Sequence, residues 1–171
     1  MKKTILGALL FLGCVPQLRP GEVAIHLRPG GHRCQLMCGA SIANVSDDEC
    51  AKSQEFLREF IEAIDKHTLI MGACQAFMGH TLVVVDADDH GSFKVGEKWV
   101  NGATDCDGHV SFVGLPPSDP RSATAHELVH VVECRTGRNP DHVGWEDKQY
   151  CTAIREVSTF LDGCEDPNES P

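Results

Sequence analysis

The strongest pattern in the chain is the recurrence of Phe56, Leu57, Phe60, Ile61 and Ile64 at three- and four-residue intervals. Side chains at that spacing share one helical face. Ser46 and Glu49, just upstream, have the spacing of a capping box, so a helix is expected from about Asp47 to Lys66. Thr81 to Val85 is different: a short apolar run rich in β-branched residues, the mark of a buried strand. Phe93 to Val100 and His109 to Val113 are further strand candidates, separated by turns rich in glycine and aspartate. A sheet of three or more strands, largely antiparallel, follows from these segments.

Downstream, Asp119 and Pro120 make a helix start, with aspartate as cap and proline at the first helical position, and Gly137 makes a stop. Trp145, Tyr150, Ile154, Val157 and Leu161 recur at roughly helical spacing, which predicts a last helix from about Gly144 to Leu161. Residues 15 to 45 contain Pro16, Pro20, Pro29, Gly30 and Gly31 without sustained periodicity and read as an irregular segment. The expected architecture is α+β: a small, mostly antiparallel sheet with an N-terminal helix, a middle helix and a C-terminal helix. It divides into a leader over 1–13, an irregular cysteine-containing segment over 14–45, one domain over 46–164 and an acidic tail over 165–171.

Composition narrows the functional classes. A chain of 171 residues suits one domain, and 42% hydrophobic content permits a real core. The formal charge of -10 argues against nucleic-acid binding, which usually needs a basic face. At the N-terminus Lys2 and Lys3 precede an apolar run from Ile5 to Leu12, then Gly13 and Cys14, the layout of an export signal. That run is far short of the roughly 20 apolar residues that a membrane-spanning helix needs. Leu10-Phe11-Leu12-Gly13-Cys14 resembles a bacterial lipoprotein lipobox. The resemblance implies lipidation of Cys14, a bacterial source, and membrane attachment only through that anchor; secretion is the alternative.

Nine cysteines leave eight when Cys14 is set aside: Cys34, Cys38, Cys50, Cys74, Cys106, Cys134, Cys151 and Cys164. Dispersed, even in number and without a Cys-x-x-Cys pair, they predict disulfides rather than a cysteine-only metal site. Cys34 and Cys38, four apart in a glycine-rich region, are candidates for a small closed loop.

The chemistry concentrates in Thr124-Ala125-His126-Glu127-Leu128-Val129-His130. Residues four apart lie one turn apart on a helix, so His126 and His130 can direct both imidazoles at one ion. Glu127 sits about 100° round the helix from His126, out of the ligand set but within reach of an attacking water. The His-Glu-x-x-His segment resembles the zinc metallopeptidases called zincins. That resemblance implies a zincin-like, disulfide-stabilised domain over 46–164, Zn2+ as cofactor, and hydrolysis of a peptide or protein substrate with Glu127 as proton acceptor. In zincins a strand before this helix lines the cleft, a part that His109 to Val113 would play.

Catalytic zinc takes three protein ligands. Glu133 and Thr136 stand where the metzincin subclass needs glycine and then histidine or aspartate, which excludes that subclass. His142 is the leading candidate for the third ligand, with Glu146 and Glu156 as alternatives. The layout of His126, Glu127 and His130, then a turn, then His142 beside Gly144 and Trp145 is similar to SprT-like metallopeptidases over about residues 124 to 150. Tyr150, the only tyrosine, is a candidate oxyanion donor or a buried structural residue. Asp86 to Glu97 nearly fits a twelve-residue calcium loop, although His90 stands at position five and a polar turn explains the same residues. The competing class for the whole chain is a non-catalytic, zincin-shaped envelope binding or structural protein, with or without bound zinc.

Overall fold

The computed structural model describes Val23, residues 28–68, Ile70, and residues 72–114, 120–137 and 148–157. The elements in order are β1 (His32–Gln35), β2 (Ser41–Val45), α1 (Asp47–His67), α2 (Ala73–Ala76), β3 (Thr81–Val85), β4 (Phe93–Val95), β5 (Lys98–Val100), β6 (Gly102–Asp105), β7 (Val110–Gly114), α3 (Pro120–Thr136) and α4 (Lys148–Val157). A single 3-10 turn over Met37–Gly39 separates β1 from β2.

Helix α1 starts as its capping residues require. The Glu49 amide donates to Ser46 Oγ at 3.3 Å, and the Ser46 amide donates to Glu49 Oε2 at 2.8 Å. Pro120 is the first residue of α3, and Gly137 follows its end with φ of 69°, the left-handed conformation that ends helices.

The five-stranded sheet has the order β1-β2-β3-β7-β6, and β4 and β5 form a separate hairpin. Strands β2, β3 and β7 are mutually parallel, and the outer strands β1 and β6 run antiparallel to their neighbours. This corrects the expectation of a mostly antiparallel sheet: its centre is parallel. The reason lies in β2, within the stretch read as irregular. Its sequence Ser-Ile-Ala-Asn-Val lacks an apolar run, yet all but Ala43 are buried. Asn44 adopts φ of 67° and donates from Nδ2 to the Val84 carbonyl at 2.7 Å, so a polar residue serves inside the sheet. With β2 present, α1 becomes the crossover that parallel neighbours β2 and β3 require. Strands β1 and β2, from the stretch read as irregular, thus join the same sheet as β3.

The main core lies between one sheet face and the helices, with Phe60, Leu57, Ile64, Leu82, Val84, Leu128, Val132, Tyr150 and Ile154 among its members. A smaller cluster on the other face joins Val83 and Val85 to Phe93 and Val95 of the hairpin.

Disulfides join Cys34 to Cys50, Cys38 to Cys74 and Cys106 to Cys134, and Cys151 is disulfide-bonded as well. The small loop expected from Cys34 and Cys38 is not formed: each reaches instead to a helix, α1 and α2 respectively. Cys134, at the end of α3, is committed to Cys106 in the β6–β7 turn and so is not a thiolate ligand. Such a set of bonds marks an oxidising, exported compartment. Among the described residues no helix is long and apolar enough to cross a membrane. The leader and Cys14 lie outside the described residues.

Candidate metal centre

Helix α3 packs on β6 and β7, and every residue from Glu127 to Glu133 is buried. Four apolar side chains in that stretch, Leu128, Val129, Val131 and Val132, seat the helix in the core. The seating fixes the direction of the polar ones. The ring centroids of His126 and His130 are 5.0 Å apart, and donor atoms of His126, Glu127 and His130 all lie within 4.8 Å of one another. Ligands at zinc-like bond lengths in a tetrahedral shell sit about 3.4 Å apart, so a spread of up to 4.8 Å is of the right order for a metal site. The group could hold a metal ion.

Glu127 is 2% exposed, and β6 holds its carboxylate. Thr104 donates from Oγ1 to Glu127 Oε2 at 2.5 Å. The other oxygen, Oε1, lies over Gly102: a Cβ built on that glycine would stand 2.6 Å from Glu127 Cγ and 2.7 Å from Cδ, and closer still to Oε1. Any side chain at position 102 would collide with the carboxylate. Burial pushes the Glu127 carboxyl up to about 7, against the opposing pull of His130 and of the Thr104 hydrogen bond.

Glu133, one helical turn beyond His130, is equally buried, with Oε2 3.7 Å from His130 Nδ1. Metal-bound histidines usually direct their second nitrogen at a carboxylate or carbonyl, which orients the ring and leaves the other nitrogen for the ion. Glu133 stands beside the His130 ring at ion-pair rather than hydrogen-bond distance.

The structure thus brings together His126, Glu127 and His130. His142 and Glu146 lie outside the described residues. Glu156 is taken up elsewhere, accepting from Lys66 Nζ and facing His67 Nε2, both at 2.7 Å, where α4 meets the end of α1. Tyr150 is buried within the main core. In the acidic stretch from Asp86, Asp88 Oδ1 accepts from the amides of His90 at 2.9 Å and Ser92 at 2.8 Å, which closes a polar turn before β4. Those hydrogen bonds hold the Asp88 carboxyl below its usual range. Gly102, Thr104 and Glu133 belong to no motif. Only Glu133 left a trace in the sequence, an acid three residues after His130 on a helix whose other neighbours are apolar.

Neither a protein-family model, nor a curated protein, nor a solved structure matches this chain significantly.

Proposed function

We propose that this protein is an exported, zinc-dependent metallopeptidase, carried to the cell envelope by a lipid on Cys14 or released. The observation that carries this reading is the convergence of His126, Glu127 and His130 donors within 4.8 Å, with the carboxylate buried and gripped by Thr104. His126 and His130 hold the metal, and His142 supplies the third donor. When bound, zinc supplies a Lewis acid that polarises the scissile carbonyl and makes water a stronger acid.

The chain's own groups do the proton work. Thr104 occupies Oε2 of Glu127, which leaves Oε1 to accept the proton of the attacking water and to return it to the leaving amine. A closer approach of Glu133, 3.7 Å away, would steady the His130 ring. Strand β7 is paired on both sides, by β3 and β6, so it cannot also pair with substrate. That part passes to β6, an end strand of the sheet and the one whose Gly102 and Thr104 touch Glu127.

Replacement of Glu127 by Gln tests the reading. Zinc content should survive, while cleavage of a peptide library by the zinc-loaded protein falls by about 10²–10⁴-fold, the usual worth of a general base. A zinc-loaded wild type that cleaves nothing in such a library would instead favour a binding protein of the same shape.

A further inference from the structure

The polar groups behind Glu127 form a line. Thr104 Oγ1, which contacts Glu127 Oε2, lies 2.8 Å from Ser111 Oγ, and Ser111 Oγ lies 2.9 Å from His80 Nε2. The four residues come from α3, β6, β7 and the position just before β3, and all are more than nine-tenths buried. Thr104 and Ser111 are register partners across β6 and β7, which sets their hydroxyls side by side. Leu82, Val84, Val113 and Leu128 show how apolar this side of the sheet otherwise is. Burying three polar side chains there costs stability unless each is fully hydrogen-bonded, and valine or alanine would fill the same space more cheaply.

Donor counting gives the line a direction. In the state that accepts a proton Glu127 is ionised and can only accept hydrogen bonds, so Thr104 spends its one proton on it. The Thr104 oxygen then accepts from Ser111, which spends its own proton in turn. Ser111 finally accepts from His80, which requires a proton on Nε2. Burial first, and then the neighbouring His109 and Arg135, draw His80 down to about 4 and keep it uncharged at neutral pH.

We propose that Thr104, Ser111 and His80 are positioning residues, a one-way hydrogen-bond chain that locks the Glu127 carboxylate and reserves Oε1 for the proton. This inference rests on the reading of Glu127 as proton acceptor. The chain runs inward, through two strands, to a histidine outside the His126–Glu127–His130 group. It ties the carboxylate's rotamer to the sheet rather than to the helix that bears it.

The test compares Thr104→Val, Thr104→Ser and Ser111→Ala with the wild type, all zinc-loaded. Thr104→Val keeps the shape and removes the hydroxyl. Its kcat on a cleaved fluorogenic peptide should fall by about 10- to 100-fold, the usual cost of removing a supporting hydrogen bond at such a site, with KM and zinc content unchanged. Thr104→Ser should recover most of that loss. The second readout is independent of activity: side-chain ¹⁵N NMR of His80 should show the Nε2–H form in the wild type. Its signals should move in Thr104→Val and in Glu127→Ala, although neither residue contacts His80. A His80 spectrum indifferent to both changes, or a Thr104→Val enzyme with wild-type kcat, overturns the proposal. If the wild type cleaves nothing while His80 still responds, the peptidase reading falls and the hydrogen-bond chain stands.

Discussion

Helices α1 and α3 are built into the same core and meet it in opposite ways. Helix α1 buries one stripe, Phe56, Leu57, Phe60, Ile61, Ala63 and Ile64, and turns its other side to water. There Lys52 pairs with Asp48 at 2.6 Å and Arg58 with Glu62 at 2.9 Å, each one turn apart. Helix α3 is buried without a break from Glu127 to Glu133, and its buried stretch includes Glu127, His130 and Glu133. A helix selected for stability alone would carry leucine at such positions, because buried ionisable groups cost free energy unless they are paired and hydrogen-bonded. The first helix holds the fold together. The second gives up stability for a site.

Substitutions probe that contrast, and the largest effect is expected in α1. Phe60→Ala removes a fully buried ring that meets Phe77 edge-on at 6.1 Å. It should lower the unfolding free energy by about 3–5 kcal/mol in denaturant titrations. A cost no greater than that of a surface substitution would mean the stripe is not the core it looks to be.

The next effect concerns pH and the polar line behind α3. Folded His80 is held at about 4 against an ordinary 6.5, so between those values the unfolded chain binds a proton that the folded protein refuses. Stability therefore rises with pH through that window and is lost as pH falls through it. Across it, metal-free wild type should lose on the order of 3 kcal/mol more than His80→Gln. Parallel pH profiles for the two proteins would show that burial of His80 carries no such penalty.

Gly102→Ala is smaller in stability and sharper in meaning. The new methyl displaces the Glu127 carboxylate, at about 1–3 kcal/mol if the surroundings yield as overpacked cores do. Hydrolysis should collapse while zinc stays bound, as measured by metal content and peptide turnover on one sample. Retained turnover would show that Glu127 does not depend on its seat over Gly102. Arg58→Ala, on the wet side of α1, should leave the melting temperature unchanged.

Much of the contrast was legible in the amino-acid order. The stripe of α1 and its Ser46–Glu49 cap are local patterns, and local patterns survive folding. So are the start of α3 at Pro120 and the spacing of His126 and His130. What escaped is long-range. Strand β2 hides because it buries Ser41 and Asn44 rather than an apolar run, and without it the parallel centre of the sheet is invisible. Gly102, Thr104, Ser111 and His80 become a group only when β3, β6, β7 and α3 come together. No spacing along the chain announces them. The cysteine pairs escaped for the same reason, since Cys34 and Cys38, neighbours in sequence, bond to different helices.

Metal analysis of the oxidised protein decides whether His126 and His130 hold zinc. Wild type purified with zinc in the medium should carry one equivalent per chain, and His126→Ala and His130→Ala should each lose it while keeping the wild-type circular dichroism. Wild type without stoichiometric metal, or folded variants that retain it, would contradict the account.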